Sequence, residues 1–477
     1  MADWKSLIAK VQTYSPEADF DLIKKAYQLA AKLHAREKRL SGDRLTTHLL
    51  NVADLVADIH LDEQAVITAL LHESIRKGGM TPSELEKEFG SEVAFCVETL
   101  TQLSQNQLSF HSSNLSENLR KTFLLLAKNV RVALIRLADR TDSVKTISFL
   151  PAKDRVWAAK QALNFYAPIA EILGVYRFKR ELEDGGFALI HPELYQAIES
   201  QLELDQQEME EAIKKIKRKL LRELVEAKVY PQQVFSRAKH IYSIWRKLLR
   251  YQREGKVKDL LVKRVYDQMA LMVIVEEIPQ CYQVLGVVNK IFTVLPEEFD
   301  DYIAKPKPNG YRALHTIVQD EKARIFELQV RTAQMHTENE FGQAAHFHYK
   351  SQGKRSASRA SEEKTDWVKR LHEWSTANVE EIFGEKIYVF SPKRDVYELP
   401  KGATPIDFAY MVHSDLGNEA CGAIVNGKMV SLDYQLKSGE MVYILKKEGG
   451  KPSGKWSRFV VTQNARRKIL KSLRGEV

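Results

Sequence analysis

The spacing of apolar residues changes along this 477-residue chain, and that change limits the folds it can adopt. Up to about residue 195, apolar residues recur at intervals of three and four, as from Ile23 to Leu33, which is the spacing of one helix face. Beyond this, short β-rich runs such as Met269 to Val275 and Arg324 to Val330 alternate with helical segments. The sequence therefore predicts an all-helical first domain followed by a mixed α and β domain.

Length and composition exclude several classes of protein. The chain is long enough for about three domains of ~150 residues, and its hydrophobic content of 44% is that of a globular protein. No apolar run approaches the ~20 residues of a membrane span, and the N-terminus lacks the apolar stretch of a secretory signal. These features predict a cytoplasmic protein. The three cysteines form no CxxC pair, which argues against a disulfide framework or a thiolate zinc site.

The net charge of +9 favours anionic partners, either nucleotides or RNA. Much of the excess lies in Lys214 to Lys219 and in Lys446 to Arg474, where solvated helix faces are the commoner explanation. We expect these divisions: a helical domain at 1–195, a mixed domain at 196–350 with a linking helix at 203–228, a linker and helix at 351–380, a compact unit at 381–448 and a basic tail at 449–477.

The stretch from Glu298 to Tyr311 combines acidic, basic, aromatic and turn residues in one loop. Lysines can hold phosphate oxygens, and Tyr311 offers a flat face for a base. Pro306, Pro308 and Gly310 favour an irregular backbone that can approach a ligand. The loop suits a nucleotide polyphosphate with its metal, although a charged turn between two strands is the simpler alternative.

Further motifs accompany this loop in a fixed order. They are Lys239 to Lys247, Tyr266-Asp267, Cys281 to Gly286, Leu314-His315-Thr316, Glu327 to Thr332 and Gly342 to His346. The whole set resembles the synthetase domain of the RelA/SpoT family of alarmone enzymes. The resemblance implies an α+β, nucleotidyltransferase-like domain with a mixed sheet. It also implies Mg²⁺-dependent transfer of the β,γ-pyrophosphate of ATP to the 3′-hydroxyl of GDP or GTP.

The resemblance assigns roles to individual residues. Asp267 and Glu327 are the implied Mg²⁺ ligands, and Glu327 also activates the guanosine 3′-hydroxyl. The implied ATP-phosphate contacts are Arg237, Lys239 and Lys247. The implied GDP or GTP contacts are Lys307, Asn309, Tyr311, His315, Gln329 and Arg331. Glu327, Gln329 and Arg331 alternate along one predicted strand, so they should share a face.

Some positions depart from the family pattern. Met269 and Met272 stand where the family has arginines, and Ser236 replaces a glycine. A lost phosphate-facing arginine would weaken transition-state stabilisation. If those arginines have only a structural role in the family, methionines can fill the same space as part of the core.

The helical domain contains the order His48, His72-Glu73 and Asp139. Taken singly, each suits a core or capping position. Together with Arg39 and the residues around them, they resemble the HD-type hydrolase domain of the same family, which holds Mn²⁺ and removes pyrophosphate from the alarmone. Glu73 stands where the family has Asp, and its carboxylate could still ligate a metal.

Arg76-Lys77 stands where family hydrolases have the Glu-Asp pair that serves the attacking water, and Ser143 where they have Asn. Two positive charges beside a cation remove the general base and add repulsion of about 4 kcal/mol per close pair. Hydrolysis is therefore predicted to be lost. The acidic segment from Glu298 to Asp301 resembles that of synthetase-only family members, which agrees with the predicted loss of hydrolysis.

The unit at 381–448 resembles the small β-grasp TGS domain of long family members, which senses tRNA on the ribosome. Thr404 to Tyr410 and Val425-Asn426-Gly427 match its pattern. Asn418-Glu419 replaces the tRNA-facing His-Arg, and an acid near RNA phosphate is unfavourable. The chain stops without the zinc-finger and ACT-like modules, as a natural short form or a truncation. These points argue against tRNA sensing, while Arg466-Arg467-Lys468 leaves RNA or ribosome contact open.

The leading hypothesis is a GTP/GDP pyrophosphokinase that has lost its hydrolase activity. One alternative is a catalytically inactive, nucleotide-binding regulatory member of the family, and another is residual hydrolysis through the HD residues. The leading hypothesis requires Asp267 and Glu327 to converge on one cation beside Tyr311.

Overall fold

A computed structural model describes most of the chain. The described residues are 3–77, 79–108, 115–253, 269–295, 299–307, 309–320, 325–342, 367–368, 370–371, 386–392, 396–437, 440–447 and 449–473. The chain divides into two compact units, Met1–Ile244 with Val265–Ala377 and Trp245–Arg264 with Asn378–Val477. None of the helices described is long and apolar enough to cross a membrane. The predicted flexible linker at 351–364 lies outside the described residues.

The first unit begins with helices only, as predicted. They are α1 (Trp4–Tyr14), α2 (Phe20–Leu33), α3 (Leu45–Asp58), α4 (Glu63–Leu71), α5 (Pro82–Phe89), α6 (Ser91–Leu108), α7 (Leu115–Lys128), α8 (Val130–Val144), α9 (Ala152–Gln161), α10 (Ala167–Ile172), α11 (Tyr176–Ile190) and α12 (Pro192–Glu226). Side chains of Asp3, Asp19 and Asp62 accept hydrogen bonds from the free backbone N–H groups that begin α1, α2 and α4. The core of this part lies around α4, where Ala65 to Leu71 are all buried.

Helix α12 is longer than the predicted linking helix at 203–228, because it begins at Pro192. Ile213, Ile216, Leu220 and Leu224 form its buried stripe, and they pack in one core cluster with the sheet that follows. Their spacing of three and four residues puts them on a single side of the helix.

The sheet of the first unit is mixed, which confirms the predicted fold class. Its strands are β1 (Gln233–Ala238), β2 (Met269–Val275), β3 (Thr293–Val294), β4 (Asp300–Asp301), β5 (Leu314–Gln319) and β6 (Ile325–Thr332). The order is β1-β2-β6-β5-β3, with β4 also paired to β5. Only β2 and β6 pair in parallel among these strands. The accompanying helices of this unit are α14 (Ile278–Ile291) and α15 (Ala333–Phe341), whereas α13 (Ile241–Arg253) begins in this unit and belongs mostly to the second.

Strand β6 separates the core from the candidate site. Phe326, Leu328 and Val330 are buried in the cluster that also contains residues of α12 and α14. Because side chains alternate along a strand, Glu327 and Gln329 lie on the opposite face. In the register of the sheet, Gln329 pairs with Met272 of β2 and with His315 of β5.

In the part of the second unit that the structure describes, two small sheets and three α-helices follow α13. They are the pair β7 (Lys386–Phe390) and β8 (Val396–Pro400), the sheet of β9 (Ala420–Val425), β10 (Lys428–Val430) and β11 (Val442–Lys446), and helices α16 (Pro405–Val412), α17 (Ser414–Asn418) and α18 (Gln463–Leu473). Asn426 has a φ of 50° and Gly427 a φ of 78°, so the predicted turn at 425–427 connects β9 to β10.

The segment predicted as a basic tail is an ordered part of this second unit. Helix α18 buries Ala465 and Ile469 in the same core cluster as α16. The carboxylate of Asp407, on α16, is fully buried and accepts hydrogen bonds from the backbone N–H groups of Val461 and Thr462. The charge excess of this segment therefore lies partly on a helix face.

Candidate active site

A cavity of about 250 Å³ opens in the first unit, on the polar face of the sheet. Seven of the predicted site residues line it, namely Lys239, Lys307, Tyr311, His315, Glu327, Gln329 and Arg331. They come from the end of β1, the loop after β4, and strands β5 and β6. The structure thus brings together residues that are far apart in the sequence, and it does so with both acidic and basic groups present.

Glu327 is the acidic centre of this cavity. Its Oε1 lies 2.7 Å from Nδ1 of His315, and only 15% of its side chain is exposed. Burial acts to raise the pKa of Glu327, but the hydrogen bond and charge of His315, with the charge of Lys239, outweigh it and lower this pKa to about 2. The carboxylate is therefore ionised at neutral pH, as a metal ligand or a general base must be.

Tyr311 is half-buried rather than part of the core. Its hydroxyl lies 2.7 Å from Nε2 of His315. Its ring meets those of Tyr302 and Tyr176 edge to face, with centroids 6.1 and 5.9 Å apart. This packing orients the ring while leaving it on the cavity wall, which suits stacking on a base.

Lys307 lies over the aromatic rings at this side of the cavity. Its Nζ is 4.3 Å from the centroid of Tyr302 and 5.3 Å from that of Tyr311. Burial lowers the pKa of Lys307, although Asp300 and Glu327 act in the opposite direction. A partly desolvated ammonium group of this kind gains from contact with an anion.

Arg331 shares the face of Glu327 and Gln329, as predicted from the strand period, but it is nearly fully buried. Its guanidinium donates a hydrogen bond to the sulfur of Met272 and lies 3.6 Å from the carboxylate of Glu340. Met272 is itself fully buried. The methionine at this position is thus core that supports Arg331, one of the two interpretations of the sequence.

Four other predicted site residues do not line the cavity in the described part of the chain. Asp267 lies outside the described residues, so its convergence with Glu327 stays a prediction. The side chain of Arg237 is also outside them. Lys247 lies on α13, in the second unit. Asn309 is close by, and its amide donates a hydrogen bond to the hydroxyl of Tyr176.

Sequence reasoning missed the contribution of the helical part to this cavity. Tyr176, Lys179 and Arg180 of α11 line it together with the synthetase-like residues. Their spacing of three and four residues was a visible signal, because it places polar groups on one helix face. His240 was also missed, and its Nε2 lies 2.9 Å from the buried carboxylate of Glu183 on α11.

The second candidate site is the cluster of His48, His72 and Asp139 in the helical part. One potential ligand atom from each lies within 4.8 Å of the others, and all three residues are buried. Nε2 of His72 is buried without a hydrogen-bond partner among the described residues. Two imidazoles and a carboxylate fit a transition metal such as Mn²⁺ or Zn²⁺.

Arginine side chains bind the carboxylates at this cluster. Glu73 accepts two hydrogen bonds from Arg76, at 2.9 and 2.6 Å, so its carboxylate is already paired with an arginine. Asp139 accepts hydrogen bonds from Arg136 and Arg140 at 2.8 and 2.9 Å. Burial opposes ionisation, but these positive charges and His48 keep the pKa of Asp139 well below its usual range. Permanent cations thus already neutralise the acids that a metal would need.

Two further residues complete this cluster. Nδ1 of His48 lies 2.6 Å from Asp142, which also accepts a hydrogen bond from Arg39 at 3.0 Å. Asp142 was not among the predicted site residues. Its place three residues after Asp139 on the same helix was the available signal. Arg39 acts here by orienting Asp142 and by donating to Ser143, at 3.3 Å.

Comparison with known proteins agrees with this architecture. Residues 236–354 match the region found in RelA / SpoT proteins, residues 26–176 match an HD domain and residues 387–446 match a TGS domain. A GTP pyrophosphokinase from Myxococcus xanthus is 37% identical over an alignment of 473 residues, which covers 96% of this chain and 61% of that protein. The chain belongs to the RelA/SpoT family. The RelA/SpoT match contains most of the cavity residues, and the HD match contains the histidine cluster.

Other relatives of this family member carry a different activity in their names. A guanosine-3′,5′-bis(diphosphate) 3′-pyrophosphohydrolase from Aquifex aeolicus is 36% identical over 464 residues, covering 95% of this chain and 65% of that protein. The chain thus spans less than two thirds of the length of these curated relatives. The product-bound crystal structure of small alarmone synthetase 1 from Bacillus subtilis is 26% identical and covers 37% of this chain and 96% of that one, with a TM-score of 0.25.

Proposed function

We propose that this protein is a GTP/GDP pyrophosphokinase, which transfers the β,γ-pyrophosphate of ATP to the 3′-hydroxyl of GTP or GDP. The observation that carries the proposal is the ionised carboxylate of Glu327, held by His315 in a cavity that Lys239, Lys307 and Tyr311 also line. The names of the relatives in the same family are consistent with this reaction.

In the proposed reaction, the guanosine 3′-oxygen bonds to the β-phosphorus of ATP as the bond between that phosphorus and the α–β bridging oxygen breaks. AMP is the leaving group. Glu327 accepts the proton of the attacking hydroxyl, which its low pKa permits because the carboxylate is already ionised. Lys239 and Lys307 contact phosphate oxygens and stabilise the charge that spreads over them.

Tyr311 stacks on the guanine in this proposal, and its hydroxyl remains tied to His315. A bound Mg²⁺ would neutralise charge on the transferred group. The carboxylate of Glu327 fits this cation because it is ionised and faces a cavity rather than an arginine. Asp267 is the proposed second ligand.

We also propose that the HD region no longer hydrolyses the alarmone. Arg76 holds Glu73, and Arg136 and Arg140 hold Asp139. Asp142, beside His48, is likewise paired with Arg39, so each of the described carboxylates at this cluster has an arginine partner that competes with the activation of water. This supports a synthetase-only enzyme rather than one that both makes and degrades the product.

The test is an incubation of the purified protein with Mg²⁺, labelled ATP and either GDP or GTP, followed by separation of the nucleotides. We expect a labelled guanosine product that is lost in Glu327→Gln and retained in Glu276→Gln, which removes an exposed acid elsewhere in this unit. Binding of both nucleotides without any product would contradict the proposal and identify a silent nucleotide-binding member. Mn²⁺-dependent loss of added alarmone would show that hydrolysis persists.

A further inference from the structure

One face of α11 turns toward the nucleotide cavity. Tyr176, Lys179 and Arg180 line this cavity, and Glu183, one turn further on, is buried beside His240. Residues three and four apart lie on one helix face, so this arrangement is a continuous polar stripe. Cationic side chains from the helical part therefore reach the same space as Lys239 and Lys307.

Tyr176 connects this helix to Tyr311, the residue proposed to stack on guanine. Its hydroxyl accepts a hydrogen bond from the amide of Asn309, and its ring lies at 72° to that of Tyr311. Burial raises the pKa of Tyr176 to about 12, so its hydroxyl is protonated at neutral pH. Tyr176 contacts the ring of Tyr311 edge to face, with centroids 5.9 Å apart.

Lys179 adds positive charge at the same side. Its Nζ lies 3.0 Å from Glu171 and 3.8 Å from Glu183. Burial is the main cause of the lowered pKa of Lys307, and the charge of Lys179 contributes to it. Two ammonium groups thus repel one another across this part of the cavity. A bound polyphosphate would convert that repulsion into two favourable contacts.

The backbone holds α11 in this position. A Cβ at Gly342, which follows α15, would lie 2.6 Å from Cα of Gly174, just before α11. Such backbone contact leaves no room for side chains between the two segments. Next to Glu183, the far end of the stripe, Asp184 of α11 accepts a hydrogen bond from the backbone N–H of Tyr242 at 2.9 Å. The helix is therefore attached at both ends of the stripe.

We propose that α11 forms part of the nucleotide site, in which Lys179 and Arg180 bind the 5′-phosphates of the guanine nucleotide and Tyr176 positions Tyr311. This inference rests on the proposed function for the choice of a guanine nucleotide. It extends the site beyond the matched RelA/SpoT region to a helix that begins at the last residue of the HD match.

The test is calorimetric titration of the full chain with GDP alone, so that no transfer can occur. We expect Lys179→Ala and Arg180→Ala each to weaken GDP binding by about tenfold, as for a lost charged hydrogen bond. Guanosine, which lacks phosphates, should bind all forms equally. Arg177→Ala is the matched control, because it removes a charge from the same helix at a residue that pairs with Asp58 and does not line the cavity.

Lys179→Arg should bind GDP much more tightly than Lys179→Ala does, because arginine keeps the positive charge that contacts the phosphates. Equal GDP binding by the wild type and both alanine variants would overturn the inference, as would an equal loss in Arg177→Ala. A loss of ATP binding without any loss of GDP binding would also overturn it. Weakened GDP binding in a protein that never transfers pyrophosphate would leave this inference standing and reject the proposed reaction.

Discussion

The imidazole of His315 bridges Glu327 and Tyr311. Nδ1 lies 2.7 Å from Oε1 of Glu327, and Nε2 lies 2.7 Å from the hydroxyl of Tyr311. Nδ1 can donate a hydrogen bond to the ionised carboxylate, and Nε2 forms a hydrogen bond with the tyrosine hydroxyl. His315 therefore orients both Glu327, the proposed general base, and Tyr311, the residue proposed to stack on guanine.

Replacing His315 should change the pH dependence of transfer. Burial alone raises the pKa of Glu327, and His315 is the main group that lowers it to about 2. In His315→Ala we expect the acidic limb of the kcat/KM profile to move to higher pH, because Glu327 becomes protonated earlier. His413→Ala, an exposed histidine of the second unit, should leave the profile unchanged. An unshifted limb in His315→Ala would show that Glu327 is not the titrating base.

The carboxylate of Glu327 should also affect the stability of the folded protein at low pH. The pKa of Glu327 is depressed from 4.5 to about 2 in the folded protein, so its contribution to stability is present above 4.5 and is lost as pH falls toward 2. Glu327→Gln should therefore lose less stability than the wild type when the pH falls below 4.5. Urea unfolding at a series of pH values measures this. Parallel curves for the two proteins would contradict it.

The close approach of Gly342 to the helical part should make this glycine hard to replace. A Cβ there would meet Gly174 and the carbonyl of Leu173, and φ is +50°. We expect Gly342→Ala to lower the free energy of unfolding by roughly 2–4 kcal/mol, from overpacking and backbone strain. Thermal unfolding checks this. Gly286→Ala is the control, since nothing lies within 4 Å of its added Cβ on α14, and it should be neutral or stabilising.

Removing Arg76 should improve metal binding in the HD region. Arg76 now holds the carboxylate of Glu73 in a two-point contact. In Arg76→Ala the freed acid would be able to join His48 and His72, and we expect Mn²⁺ affinity to rise about tenfold or more. Titration followed by electron paramagnetic resonance measures this. Lys87→Ala, an exposed lysine on α5, should have no effect. Unchanged affinity in Arg76→Ala would mean that Glu73 is not a ligand.

Asp407 should be the most sensitive position of the second unit. Its buried carboxylate accepts hydrogen bonds from Thr404, Val461 and Thr462. Asp407→Ala would leave these donors unsatisfied at a cost of about 1–3 kcal/mol for each buried group. We expect a lower melting temperature and faster protease cleavage within 449–473. Asp415→Ala, at an exposed acid, should behave as the wild type, and equal cleavage of the two variants would contradict the role of Asp407.

Some of this site was predictable because the rules involved are local. The alternation of Glu327, Gln329 and Arg331 follows from the period of a strand, and β6 places these residues as predicted. The helical stripe of α12 was predictable for the same reason. The role of Arg76 was harder to predict from the sequence. Charge counting predicted repulsion of a metal, whereas the structure shows in addition that this arginine binds Glu73.

Sequence alone determined the kinds of elements, their order and the chemical groups available for polyphosphate binding, since propensity, period and residue type act over a few positions. Only the tertiary structure decided that Tyr176 and Lys179 of a distant helix share a cavity with Glu327. That proximity depends on a backbone contact between Gly174 and Gly342, and contacts between segments far apart in the chain leave no periodic signal in either segment.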